Sequence, residues 1–279
     1  MSDNTLNQKS PLNFAIRIIY YLAGMFFIAL GVQLAIRGGL GISPVSSPAY
    51  AINTSLRFHY EADGIVNLLG IDIPADKLMG YCAAAVFICL VLVQIILLRK
   101  NFKPIQILQV AVAILFGYFV NVALPVVRLI KLPKFATYDV DAQTGLQVVT
   151  GENLPYYMQL VFLAMSIITI ALGLSFYLGA KLIPMPSEGV GLAVQQKLDG
   201  VPYHKIKVVT DVIWVSIASV IVFISVVRIG GGQFTGIREG TVITAVLVGI
   251  VMGWMRPVLN PIMRKCGLDV EIPVKKSKN

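Results

Sequence analysis

Six stretches of about 20 residues are nearly free of charge, and the polar residues gather between them. They lie near 13–36, 78–98, 104–127, 157–180, 208–228 and 240–262. A helix of roughly 20 apolar residues covers the roughly 30 Å of hydrocarbon in a bilayer, so each stretch predicts a spanning helix. Two shorter apolar segments, 44–56 and 186–198, sit after the first and the fourth stretch. Both are too short to span and too apolar for an ordinary exposed loop. Each follows a Gly/Pro break, Gly38-Gly39-Leu40-Gly41-Ile42-Ser43-Pro44 in one and Lys181-Leu182-Ile183-Pro184-Met185-Pro186 in the other. Ser43-Pro44 reads as an N-cap followed by proline at the first helical position, and Pro186 can play the same part. The pattern predicts two half-helices whose N-termini lie within the membrane, buried in protein or lining a watery cavity. The other reading is a pair of amphipathic surface helices. Weak charge and many small residues count against it.

The two halves of the chain echo each other. Ile28-Ala29-Leu30-Gly31 recurs 142 positions later as Ile170-Ala171-Leu172-Gly173, and Pro44 falls in register with Pro186 at the same offset. The run from Ala113 to Val126 likewise matches Ala245 to Val258, with Gly117 over Gly249 and Pro125 over Pro257. Three spans in each half force the second half to cross in the opposite sense. The expected fold is therefore all-α and polytopic, with six transmembrane helices in two inverted three-helix repeats and a half-helix after the first span of each. Residues 1–127 form the first repeat, 128–155 an outer linker, 156–263 the second repeat and 264–279 a basic cytoplasmic tail. Within the linker, Tyr138 to Gly145 is polar and reads as a loop or short hairpin. Inverted repeats are typical of transporters, with the solute site near the midplane between them.

The chain is 57% hydrophobic and 13% charged, with a mean hydropathy of +0.79, whereas soluble domains carry about a quarter charged residues. In that setting the net charge of +9 speaks for orientation rather than for nucleic acid. With the N-terminus inside, the inner segments hold Lys9, Arg17, Arg99, Lys100, Lys103, Lys181, Lys197, Lys205, Lys207 and the five basic residues from Arg264 onward. The outer segments hold fewer, as the positive-inside rule requires. Both termini are thus expected on the cytoplasmic side of the membrane, and the first apolar run is too long for a cleavable signal. Cys82 and Cys89, seven apart in the second span, are expected to be small packing residues, as are Gly117, Gly249 and Gly253.

Helix N-termini carry free N–H groups and roughly half a positive charge, which suits an anion or a polar carbonyl. Ser43, Pro44, Ser46, Ser47, Pro186 and Ser187 are the candidate solute-binding residues around the half-helix starts. The serines can equally cap the helices and allow close packing. Glu188 aligns with Ser46 and breaks the symmetry. In a first turn it is favoured by the dipole; at depth it becomes a proton or cation site. Lys207 and Asp211 are four residues apart on one helical face, which suits an ion pair and adds them to the candidate coupling groups. Arg256 either snorkels outward or faces a solute. No HExxH, CxxC or Ser-His-Asp grouping occurs, and only His59 and His204 are present. The expectation is no enzyme, no cofactor and no metal.

Four motifs in this order, Gly39 to Pro44, Pro184 to Gly189, His204 to Asp211 and Glu239 to Ala245, resemble the YitT/YczE-like bacterial membrane proteins over nearly the whole chain. The resemblance implies a multi-spanning plasma-membrane protein and brings no substrate with it. The chain departs from YczE-like members in carrying Val45-Ser46 after the Ser-Pro. The expected function is a small secondary transporter or permease for a small polar or anionic solute, in contact with the lipid bilayer and compatible with a homodimer. A channel lined by the same half-helices and an accessory or sensor protein without flux are the alternatives.

Overall fold

The computed structural model describes residues 11–68, 70–99, 104–130, 135–140, 147–197, 203–229 and 238–265. Helices stand at all six long windows: α1 (Pro11–Gly38), α3 (Leu78–Leu98), α4 (Leu108–Arg128), α5 (Tyr156–Gly179), α7 (Tyr203–Ile229) and α8 (Glu239–Lys265). Two short helices intervene, α2 (Ser47–Tyr60), entered through a 3-10 turn at Pro44–Ser46, and α6 (Pro186–Lys197). By length and composition, five helices suffice to cross a membrane: α1, α3, α4, α5 and α7. In α8 the apolar portion among the described residues is shorter, Glu239–Met255.

Two small antiparallel sheets, β1–β3 and β4–β5, decorate the helices. β1 (Glu61–Ala62), β2 (Ile65–Leu68) and β3 (Ile71–Pro74) make a meander between α2 and α3, which the hydropathy pattern does not announce. β4 (Phe135–Val140) pairs with β5 (Gln147–Asn153) between α4 and α5. Beside the meander, the guanidinium of Arg57 bonds Glu61 at 2.6 Å and holds that carboxyl below its usual range.

The core is apolar, as in a soluble protein, but the exterior is apolar too. Gln33, Gln94, Gln109 and Ser166 are buried, while Ile96, Val212, Phe223 and Trp254 are exposed. An apolar exterior of this extent is unstable in water and is matched by lipid chains. Between helices in lipid, close packing and hydrogen bonds take over from the hydrophobic effect. The α1–α5 pair illustrates this.

These two helices run antiparallel, with Gly24 against Gly173 and Tyr177, Gly31 against Ser166 and Ile170, and Gly38 against Phe162. A Cβ on Gly24 would lie 2.5 Å from the Tyr177 nitrogen, and one on Gly173 would lie 2.7 Å from the Gly24 oxygen. Ser166 Oγ donates to the Gly31 carbonyl at 2.8 Å. Gly80 and Gly117 similarly bring α3 and α4 into backbone contact. By contrast, among the described residues nothing lies within 4 Å of a Cβ built on Gly249 or Gly253. The expectation that these two glycines serve close packing is corrected: both face away from neighbours. Cys82 is buried as expected, but Cys89 is exposed.

α1 also anchors α4. The Arg37 guanidinium donates to the carbonyls of Val127 and, at 2.7 Å, Ile130, and lies 5.8 Å from the Phe162 ring centre. The Val127 carbonyl also accepts the Ile130 N–H, so Arg37 adds a charged donor to the turn that ends α4 and ties it to α1. Arg37→Met keeps the aliphatic stem and removes these bonds. Charged hydrogen bonds contribute about 1.5–3 kcal/mol, so the variant should unfold at a clearly lower temperature in detergent; an unchanged melting temperature would refute this anchoring role.

Candidate functional site

The start of α6 is a polar place in the interior of the bundle, and three helices build it. After α5 ends, Lys181 takes a left-handed φ of 48°, which turns the chain back toward the helices. Ile183 is caught by Tyr21 of α1, whose hydroxyl donates to its carbonyl at 2.9 Å. The Tyr177 hydroxyl of α5 accepts the Met185 backbone N–H and donates to Glu188 Oε2 at 2.7 Å. The two tyrosine rings lie 5.3 Å apart. From α3, Gln94 Nε2 donates to the Pro186 carbonyl at 2.9 Å. Proline at the first position of α6 needs no donor partner there. The Gly189 N–H then bonds back to the Met185 carbonyl at 2.8 Å and starts the regular ladder.

Glu188 is thus half-buried in the first turn of its helix. Its carboxylate faces the positive end of the α6 dipole and accepts from a buried phenol. Pro186 and Ser187 beside it are buried. The arrangement can hold a carboxylate in either protonation state: ionised, it accepts from Tyr177; protonated, it can donate. That property is what a proton-handling group needs.

The first half-helix is arranged differently. The Ser43 carbonyl accepts the backbone N–H groups of Ser46 at 3.0 Å and Ser47 at 3.1 Å. The Ser43 hydroxyl does not cap the backbone; it donates to Ser46 Oγ at 3.1 Å. Ser47 Oγ donates to the Pro44 carbonyl at 2.6 Å. Pro44, Ser46 and Ser47 are buried. The approach is fixed by glycines: Gly39 and Gly41 adopt φ of 71° and 127°, and Gly41 lies so close to Thr241 that a Cβ would meet its nitrogen at 2.7 Å. The Leu40 carbonyl accepts the Gly240 N–H at 2.9 Å, which ties this turn to the start of α8.

The two half-helices are therefore anchored at opposite ends of the α1–α5 pair. One hangs from Tyr21 and Tyr177, the other directly from the end of α1 at Gly38. Tyr21 and Gly38 are 17 positions apart on α1, about 25 Å at 1.5 Å per residue. The anchors put Ser43, Pro44, Ser46 and Ser47 in one group, beside the end of α1 and the start of α8, and Pro186, Ser187 and Glu188 in another, beside Tyr21 and Tyr177.

Both short helices pack on α3 and α7, and Ala49, Met185 and Val190 share one core with Tyr21, Met25 and Tyr177. Asp211 lies on α7, partly buried and one position after buried Thr210. The side chains of its predicted partner Lys207 and of Arg256 lie outside the described residues. Tyr21, Tyr177 and Gln94 are participants that the pattern of charges does not reveal. Their signal in the chain is a polar group inside an otherwise apolar stretch. No cluster of three or more metal-ligating side chains occurs among the described residues.

Five apolar spans, a lipid-type exterior and a polar interior around α6 define a polytopic helical integral membrane protein. The chain belongs to a family of unknown function, DUF6198, whose model matches residues 15–257. No curated protein and no solved structure matches it.

Proposed function

We propose that this protein is a small secondary transporter built from two inverted three-span repeats, moving a small polar solute across a bacterial plasma membrane. The observation that carries the reading is an exchange of contacts between α1 and α5. An offset of 142 turns Gly24 into Ser166, Ile28 into Ile170 and Gly31 into Gly173. It converts the contact of Gly24 with Gly173 into that of Ser166 with Gly31, and the contact of Ile28 with Gly173 into that of Ile170 with Gly31; all four contacts occur. Among the neighbours, α1 packs on α4 as α5 packs on α8, and α2 packs on α7 as α6 packs on α3, while the extensive α3–α4 contact has no counterpart of like size between α7 and α8 among the described residues. Such a pseudo-two-fold supports an inverted repeat with α8 as the sixth span, the architecture of alternating-access carriers.

In this reading the two half-helix starts line opposite halves of one pathway. Ser43, Ser46 and Ser47 serve the outer half and Ser187 the inner half. The excess of basic residues on the α6 side supports a cytoplasmic assignment of both termini. Glu188 couples proton movement to the solute, with Asp211 and Lys207 as the second coupling pair. The likeness to YitT/YczE-like proteins agrees in class and location.

The test is uptake of a panel of labelled solutes into proteoliposomes with and without a proton gradient. Gradient-driven accumulation by the native protein should vanish in Glu188→Gln while exchange at equal concentrations survives. Flux that is indifferent to the gradient and to Glu188→Gln would replace the carrier by a channel, and no flux of any solute would sink transport altogether.

A further inference from the structure

The described site leaves one polar group of atoms unused. Gln94 and Gln109 are both fully buried, at 0% exposure. Gln94 spends its amide nitrogen on the Pro186 carbonyl, which fixes its orientation and leaves Oε1 as an acceptor with no partner. Both Oε1 and Nε2 of Gln109 are also without a partner. The helix register brings the two amides to the same place. Phe87 of α3 stacks on Phe116 of α4 with ring centres 5.1 Å apart. Gln94 lies seven residues after Phe87, and Gln109 seven before Phe116. Seven residues are about two turns, so on antiparallel helices the amides recur opposite one another on the face that the stacked rings define. α6 closes the place on one side: a Cβ on Gly189 would meet Gln94 Oε1 first and Cδ and Nε2 at 2.8 Å, so this acceptor lies at the α6 wall.

Buried amides without partners are costly, at about 1–3 kcal/mol each, and natural cores rarely retain them. Two of the three free atoms accept and one donates. An anion offers acceptors only and fails two of them; the Glu188 carboxylate one residue before Gly189 repels it further. A simple cation offers donors only and leaves Gln109 Nε2 unmatched. A primary carboxamide matches all three. Its carbonyl and one N–H pair edge to edge with the Gln109 amide, and its second N–H reaches Gln94 Oε1. The geometry points to a binding pocket between α3, α4 and the first turn of α6 for a small neutral solute bearing a primary carboxamide. This rests on the transporter reading and narrows its solute class from polar or anionic to neutral.

The experiment uses the full chain, purified in detergent and in proteoliposomes, with acetamide, its isostere acetate and the bulkier N,N-dimethylacetamide as probes. Acetamide should raise the melting temperature saturably, because a ligand held by the native state stabilises it by mass action. Acetate and N,N-dimethylacetamide, lacking the donors, should not. Gln109→Met, which keeps volume and removes both amide atoms, should abolish the shift. Gly189→Ala, which displaces the Gln94 amide, should reduce it at least tenfold in apparent affinity, and serves if Gln109→Met does not fold. No shift with acetamide, an equal shift with acetate, or a shift that survives both substitutions overturns the pocket. Uptake separates this from the wider reading: a Gln109-dependent shift without uptake keeps the pocket and removes transport, whereas acetate-driven flux through Gln109→Met keeps transport and removes the pocket.

Discussion

Gly24→Leu and Gly173→Leu should each leave little folded protein in the membrane, whereas Gly249→Leu should behave like the native chain. Side chains at the first two positions would have to enter space filled by backbone. The Cβ alone would approach the Tyr177 nitrogen or the Gly24 oxygen to 2.5 and 2.7 Å respectively, and backbone cannot rotate out of the way as a flexible side chain can. Overpacking typically costs about 1–3 kcal/mol and more when neighbours cannot give. Here it must separate α1 from α5, and with them the anchors of both half-helices. Losses at the upper end of that range or beyond are expected, read as yield after size-exclusion chromatography and as melting temperature. Because Gly31 and Gly173 are partners under the 142-residue offset, Gly31→Leu should fall in the same class as Gly173→Leu. A well-folded Gly173→Leu would contradict the close α1–α5 packing, and damage from Gly249→Leu would contradict its open surroundings.

The second large effect is expected at Tyr177. Tyr177→Phe keeps the ring and its packing against Tyr21 but removes the hydroxyl that the Met185 N–H and the Glu188 carboxylate share. A buried donor and a half-buried carboxylate are then left short of a partner, which costs about 1–3 kcal/mol for the neutral group and more for the charged one. Tyr21→Phe removes a single bond to the Ile183 carbonyl and should cost about 1 kcal/mol. The order Tyr177→Phe worse than Tyr21→Phe is therefore the measurable outcome, by thermal unfolding of both variants beside the native protein. The pair Tyr177→Phe with Glu188→Gln should be less damaging than the sum of the two, since both remove the same contact. Strict additivity would mean that Glu188 depends on another partner.

Much of this architecture is legible along the chain. Length and apolarity alone place six long helices, and the Gly/Pro breaks before Pro44 and Pro186 place two short ones, because hydrocarbon tolerates only backbone that satisfies its own hydrogen bonds. Glu188 stands out for the same reason: a carboxylate in an apolar segment is expensive wherever it sits. The hairpin of β4 and β5 falls where the polar linker reads as a loop or hairpin. What hydropathy cannot express is which faces meet. Gly24, Gly173 and Gly117 look no different in the chain from Gly249 and Gly253, yet the first three sit in backbone-to-backbone contacts and the last two face outward. Tyr177 and Gln94 are ordinary members of apolar spans until α6 folds back on them. Which helices anchor each half-helix start is a fact of tertiary contact rather than of composition. Local sequence determined the helices, because each buries or satisfies its own backbone. Only the tertiary structure decided the site, because the groups that compose it come from α1, α3, α5 and α6 and are brought together by packing.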